Sequence, residues 1–466
     1  MFNKKSNDAL LAGIRQGKTL THNEMLSLIV GLSIPSILAQ VTNVLMFYID
    51  AAMVGKLGAT ASASIGLVES ATWLFGGLCS AVSLGFSVQV AHFIGANDFV
   101  KARQVMRHAL VATLAFSLLV TLCASLIAFR LPGWLRGGDD IAHDASLYFL
   151  IYALSVPFLQ LGILSSNMLK SAGNMQIPSI MSVLMCVLDV CFNYLFIYVA
   201  GLGVPGAALG TVLSIAIVAS VEAWFALFRS SILALRLDKE RFVWMWSYVR
   251  NAVKISAPIA AQYVLMSGAQ IVSTYIVAPL GNFAIAANTF AITAESLCYM
   301  PGYGIGDAAT TLVGQSMGAG QYGLCRSFAK LTVGMGMAVM ALMGVVMYVF
   351  APEMIGLMTP VEEIRDLGTQ VLRIEAFAEP MFAAAIVGNC VCVGAGDTLK
   401  PSLMNLASMW GVRLTLAAVL AHWYGLQGVW TAMAIELTFR GTLFLIRLKW
   451  GAWLKAEGGV EKNNAD

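Results

Sequence analysis

The sequence predicts an all-α integral membrane protein: twelve transmembrane helices in two pseudo-symmetric six-helix lobes. Three observations carry this prediction: a composition too apolar for a soluble fold, apolar runs of bilayer length, and an internal repeat. Of 466 residues, 59% are hydrophobic and only 11% charged, with a mean hydropathy of +0.78. Soluble domains carry roughly 25% Asp, Glu, Lys and Arg. A soluble enzyme, a nucleic-acid binder and a disordered scaffold are therefore poor readings, and a net charge of +3 is too small to argue for a polyanionic partner.

A helix crossing the hydrocarbon core needs about 20 apolar residues. Charge-free runs of that size recur from Ser27–Ile49 to Leu414–Ile435. The longest, Ile255–Ala294, is interrupted by Ala278-Pro279-Leu280-Gly281-Asn282 and holds one span and the start of another. With Pro, Gly and charge clusters as punctuation, the spans fall at 27–51, 61–90, 107–130, 146–170, 178–199, 207–228, 256–278, 285–316, 331–351, 367–394, 401–421 and 428–448. The runs are continuous rather than alternating, which argues against a β-barrel. No signal peptide is evident. Residues 8–20 read either as a short interfacial helix or as a solvated tail.

Loop charges set the orientation. With the N-terminus inside, 21 of 28 Lys and Arg collect on the inner side and 4 on the outer, placing both termini in the cytoplasm of a plasma (inner) membrane protein. The halves align at an offset of 223: Ser33-Ile34-Pro35 meets Ser256-Ala257-Pro258, and Val54, Leu57 and Gly58 meet Val277, Leu280 and Gly281. Ala172-Gly173 meets Ala395-Gly396, and the offset becomes 222 at Gly203 and Gly206. Six spans per half put both halves the same way up, related by an axis along the membrane normal. The expected organisation is a tail (1–26), an N-lobe (27–228), a basic cytoplasmic linker (229–255), a C-lobe (256–448) and a tail (449–466). Two like-oriented lobes suit alternating access at a central site.

Several segments resemble a known family. Gly31-Leu32-Ser33-Ile34-Pro35 with Ile49-Asp50-Ala51-Ala52-Met53-Val54-Gly55-Lys56-Leu57-Gly58 resembles the first-helix signature of multidrug and toxic compound extrusion (MATE) transporters. So do Leu312-Val313-Gly314-Gln315-Ser316-Met317-Gly318-Ala319-Gly320, Gly394-Ala395-Gly396-Asp397-Thr398 and Gly203-Val204-Pro205-Gly206-Ala207-Ala208. The resemblance, from about residue 25 to 450, implies efflux of cationic or amphipathic organic compounds in exchange for H⁺ or Na⁺.

A carboxylate inside the bilayer is costly and hence a functional candidate. Asp189 lies near the middle of the fifth span, Asn193 one turn on, Asp50 near the outer end of the first, and Thr211 opens the sixth. Their hard oxygens suit a small cation, possible Na⁺ included; the plainer reading is hydrogen bonding between helices. The resemblance implies more. DinF-like MATE proteins build an N-lobe cation site from a first-helix Asp, an Asn/Asp pair four apart and a sixth-helix Thr, which match Asp50, Asp189, Asn193 and Thr211. Acid and amide are exchanged here. NorM-like relatives carry a seventh-helix Glu and a tenth-helix Asp; this chain has Met266 and, near the second position, Phe382. The chain therefore reads as closer to the DinF-like branch.

In the second half, Glu295 is read as a counter-charge for a cationic substrate, as a proton carrier, or as the partner of Arg413 or Arg373. Glu375 and Glu379 are like charges four apart, so one is expected to be neutralised or paired with Arg373. Glu436 and Arg440, also four apart, read as a salt bridge. Glu69 and Glu222 allow both pathway and packing roles. Gln40, Asn43, Tyr48, Gln262, Tyr263, Met266, Gln270, Asn288, Glu295 and Glu379 are candidate cleft residues. All five histidines fall in loops or at helix ends. Gly302-Tyr303-Gly304-Ile305-Gly306 has no preceding strand and reads as close-packing glycines. No enzymatic activity, cofactor or nucleic-acid partner is expected; the coupling ion is H⁺ or Na⁺, and the protein is expected to work as a monomer. The alternative function is a lipid-linked saccharide flippase of the same superfamily.

Overall fold

The structure, a computed structural model, describes residues 4–135, 137–237, 242–451 and 453–454. Arg136, Lys239, Arg241, Lys455 and Lys462, used above for orientation, lie outside the described residues, as does most of the expected C-terminal tail. Among the described residues there is no strand. The helices are α1 (Lys4–Arg15), α2 (His22–Gly55), α3 (Ala59–Gly95), α4 (Phe99–Ile127), α5 (Leu131–Trp134), α6 (Asp139–Ser171), α7 (Gln176–Tyr194) and α8 (Gly203–Trp224). They continue with α9 (Trp246–Val277), α10 (Asn282–Gly318), α11 (Tyr322–Gly356), α12 (Glu362–Ala376), α13 (Glu379–Gly394), α14 (Leu399–Ala407) and α15 (Leu414–Trp450). Turns of π-helix prolong α7 and α8 and join α14 to α15.

Among the described residues nine helices are long and apolar enough to cross a bilayer, and the bent pair α12 and α13, at 59°, makes a tenth. The longest candidate, Leu399–Trp450, is broken at Gly425 (φ 58°, ψ −136°), so it holds two of the expected spans. Helix α10 has 37 residues, about 55 Å at 1.5 Å per residue. Its Asn, Thr, Glu and Asp side chains lower its hydropathy without shortening it. All twelve expected spans are thereby accounted for.

The repeat is written into the backbone. Gly58 and Gly281, 223 apart, both cap a helix with the same extended left-handed geometry (φ 111° and 98°), which disfavours any side chain. Positive φ recurs at the same offset at Asn97 and Gly320 and at Gly173 and Gly396, and at offset 222 at Gly203 and Gly425.

By contact, the chain forms two compact units, residues 41–260 and residues 1–40 with 261–466. The divisions fall inside α2 and α9 rather than in the linker. Within residues 41–260, Phe86, Val90, Met106, Leu164 and Met168 form one core and Val68, Phe75, Phe149 and Val156 another. His108 belongs to this unit. Because α4 starts at Phe99, the ring lies inside the helix and is fully buried, not at a helix end. Its Nε2 accepts from the Met245 amide at 2.8 Å, which docks the linker.

In the other unit, α10 presents Ala284, Ala287, Ala291, Ala294 and Cys298 at alternating spacings of three and four, all buried against Met347, Val371 and Trp430. Small residues at this spacing let helices approach closely where lipid offers no hydrophobic drive. Helix α1 is not a solvated tail: Leu11 and Ile14 are fully buried, and Gln321 Nε2 donates to the Ile14 carbonyl at 2.6 Å. The first part of α2 is held on α10. Asp307 Oδ2 accepts from Ser36 Oγ at 2.6 Å and from Gln40 Nε2 at 3.3 Å.

Candidate functional site

The acids of the first half meet within one unit. Asp50 comes from the end of α2, and Asp189 and Asn193 come from consecutive turns of α7. Asn193 Nδ2 donates to Asp50 Oδ1 at 3.0 Å and to Asp189 Oδ2 at 3.1 Å, so one amide bridges both carboxylates. Asp50 and Thr211 of α8 both lie beside Asp189. Asp189 and Asn193 are 0% and 2% exposed, whereas Asp50 and Thr211 are half-buried. Of the ion pairs among the described residues, Lys101–Asp98, Arg440–Glu436 and Arg447–Asp397, none reaches Asp50 or Asp189.

Two buried oxygens of this group, Asp189 Oδ1 and Asn193 Oδ1, have no hydrogen-bond donor. Orphaned buried acceptors are costly, and here they lie beside two carboxylates that no base neutralises. The residues thus fit a proton or a small hard cation. The neighbouring packing is shaped to hold them. Tyr198 donates to the Met53 carbonyl at 2.6 Å, tying α2 to the end of α7, and Val54, Ile197 and Ala207 pack beneath.

Gly210 was not legible as part of this site. A Cβ there would lie 2.1 Å from Asn193 Oδ1 and 2.8 Å from its backbone nitrogen, so α7 and α8 touch through a missing side chain. Gly210→Ala is expected to cost about 1–3 kcal/mol as an overpacking change. Rotating Asn193 cannot relieve it, because backbone is also in the way. The unfolding midpoint in detergent checks this: Gly210→Ala should fall and Gly210→Ala/Asn193→Ala should recover only in part.

The second half holds a separate set of buried acids. Glu436 and Arg440 form the expected salt bridge at 2.7 Å, fully buried on the acid's side, and Ser408 also donates to Glu436. Glu375 is not paired with Arg373. The two are two positions apart on one helix, a spacing at which side chains do not face each other. Arg373 Nε instead donates to the Tyr348 carbonyl at 3.1 Å and its guanidinium lies over the Tyr348 ring. Both carboxylate oxygens of Glu375 and of Glu379 are buried without a donor. Glu379 is 0% exposed and Glu295 6%, so in this conformation neither presents a free surface to cargo. No ion pair joins Glu295 to Arg413 or Arg373 among the described residues; Arg413 instead contacts the Met433 sulfur.

The other cleft candidates each have their own surroundings. Gln40 is engaged by Asp307, and Asn288 accepts from the buried Trp430 indole at 2.9 Å. Met266 packs beside Ala269 and Met409. Gln262 accepts from Asn405, which also donates to Asn389, a polar network the sequence did not signal. Gln270 is exposed and Asn43 and Tyr48 are half-buried.

Twin six-span halves with unpaired acids between their helices define a multi-pass membrane transporter. A model of the MatE family matches residues 35–195 and 258–419. The chain belongs to the MatE family. It is 25% identical over 434 residues to a "Probable multidrug resistance protein NorM" of Thermotoga maritima, covering 92% of this chain and 93% of that one. It is 24% identical over 426 residues to a protein of the same name from Neisseria meningitidis serogroup B, covering 88% and 91%. The fold matches a MATE structure in complex with MaL6 at a TM-score of 0.87 and 20% identity, over 94% of this chain and 100% of that one. It also matches a MOP superfamily transporter from Pyrococcus furiosus at 0.87 and 20%, over 94% and 99%.

Proposed function

We propose that this protein is a secondary active efflux antiporter. It exports cationic or amphipathic organic compounds in exchange for H⁺ or Na⁺ by alternating access between an N-lobe (27–228) and a C-lobe (256–448), with both termini in the cytoplasm of the inner membrane. The observation that carries this reading is the buried Asp50–Asn193–Asp189 bridge with no base beside it. Such a pair is stable only while a proton or a cation offsets its charge. Family membership and relatives named as multidrug resistance proteins support the cargo class.

In this scheme H⁺ or Na⁺ arriving from outside neutralises the two acids. A charge moving inward across the field releases about 2.3 kcal/mol per 100 mV, and the first span, which carries Asp50, changes shape in response. Pro35 inside α2 lacks an N–H and is the natural bending point. As placed, the Asn193 amide donates to both acids; turned over, it would offer Oδ1 to a cation beside them. Asp before Asn keeps the DinF-like ligand set, while Met266 and Phe382 leave the NorM-like C-lobe set incomplete. Working as a monomer with no cofactor beyond the coupling ion completes the reading. A lipid-linked saccharide flippase is not favoured, since Arg373 and Arg413, the cations it would use, are engaged by Tyr348 and Met433.

Purified protein in proteoliposomes tests this. An imposed pH gradient or an imposed Na⁺ gradient should drive uphill movement of a fluorescent organic cation. Movement under neither gradient would remove the antiport reading.

A further inference from the structure

The coupling scheme leaves Glu69 unused. It stands on α3, whose inner face puts Val68, Phe75 and Cys79 into a core with Phe149 and Val156. The opposite face, Ser62, Gly66, Glu69, Ser70 and Trp73, is not covered by protein. A lipid-facing helix looks different: the uncovered face of α4 is Val111, Leu114, Leu118, Leu122 and Leu126, without a polar group. A carboxylate turned into hydrocarbon is among the costliest placements in a membrane protein. The polar stripe of α3 therefore faces water.

On that stripe three side chains converge. The Trp73 indole Nε1 donates to Glu69 Oε1 at 3.4 Å, and the Phe47 ring of α2 lies 4.8 Å from the Trp73 ring, tilted by 33°. Trp73 is 55% and Phe47 44% exposed, so although the two rings pack on each other, each keeps an open side. Two π-faces beside a carboxylate are the chemistry that holds a bulky, weakly hydrated cation. The repeat does not require it: the positions 223 further on are Gln270, Ile292 and Ser296. Phe47 also lies three residues before Asp50 on α2, nearly one turn away on the same side.

We propose that Glu69, Trp73 and Phe47 form the subsite that receives the charged end of an organic cation. Its occupant is taken from the efflux reading, on which the proposal rests in that respect. Cargo seated there bears on the same turn of α2 that carries Asp50, so neutralising the coupling acids and releasing cargo share one short segment.

The test is equilibrium binding to the purified full-length protein with no gradient, using tetraphenylphosphonium and its uncharged relative triphenylphosphine oxide. Glu69→Gln is expected to weaken tetraphenylphosphonium binding about tenfold and leave the uncharged probe unchanged, as loss of one charge contact predicts. Trp73→Ala should weaken both probes, and Trp73→Phe should restore most of the affinity because a ring face returns. Unchanged cation affinity in both Glu69→Gln and Trp73→Ala would overturn the subsite and leave Trp73 as an interfacial belt residue. So would equal weakening of both probes by Glu69→Gln, or the absence of saturable binding to the wild type. Saturable, Glu69-dependent binding without gradient-driven transport would keep the subsite and sink the antiport reading instead.

Discussion

Asp50→Asn is expected to reach the membrane at normal abundance and to lose efflux against a gradient. The shape of the site should survive, because Asn matches Asp in volume and a rotated amide can still accept from Asn193 Nδ2, now 3.0 Å from Asp50 Oδ1. What disappears is the ability to exchange a charge. Forfeiting one coupled charge at 100 mV forgoes about 2.3 kcal/mol, roughly a fiftyfold loss in the cargo gradient that can be sustained. Accumulation of a fluorescent organic cation in cells, at matched protein abundance, reads this directly. Near-normal exclusion of the dye by the variant would end the proposed role of the acid pair.

Arg440→Leu should produce the largest loss of stability. Arg440 Nε and Nη2 donate to the two oxygens of Glu436 at 2.7 and 2.8 Å, and Glu436 has no exposure to water. Removing Arg440 leaves the buried carboxylate with the Ser408 hydroxyl as hydrogen-bond donor and Arg413 as a nearby base, so the cost is expected toward the lower end of the about 3–5 kcal/mol seen where one partner of a buried pair is lost. Replacing both, Arg440→Leu/Glu436→Leu, removes the stranded charge as well and should recover much of the deficit. Denaturation midpoints in detergent for the two single variants and the double variant check this. A double variant no better than Arg440→Leu would mean that the pair is needed for its shape rather than its charge balance.

The residues differ in how far ahead of the structure they could be read. Asp189 and Asn193 were legible because a four-residue spacing puts two polar groups on one helix face. The bilayer penalty makes an acid there conspicuous. The same arithmetic identified Glu436 with Arg440. It failed for Arg373 and Glu375 because two residues along a helix turn the side chains apart, and Arg373 found a carbonyl and a ring on α11 instead. Ser36 and Asp307 are 271 residues apart, and no local rule joins them. Gly210 looks like any small helical residue until the α7 backbone is seen against it. His108 was misplaced because its helix begins at Phe99, eight residues before the apolar stretch that marked the span.

Composition, apolar run length and the duplicated pattern determined by themselves that this chain is a helical membrane protein of twin six-span halves. Those properties follow from solvent and local geometry, which act on residues close in sequence. Which acids meet, which stay buried without a partner and which faces stay wet were decided only by tertiary packing. Contacts between helices depend on depth and rotation, and neither is encoded in the sequence period of a single span.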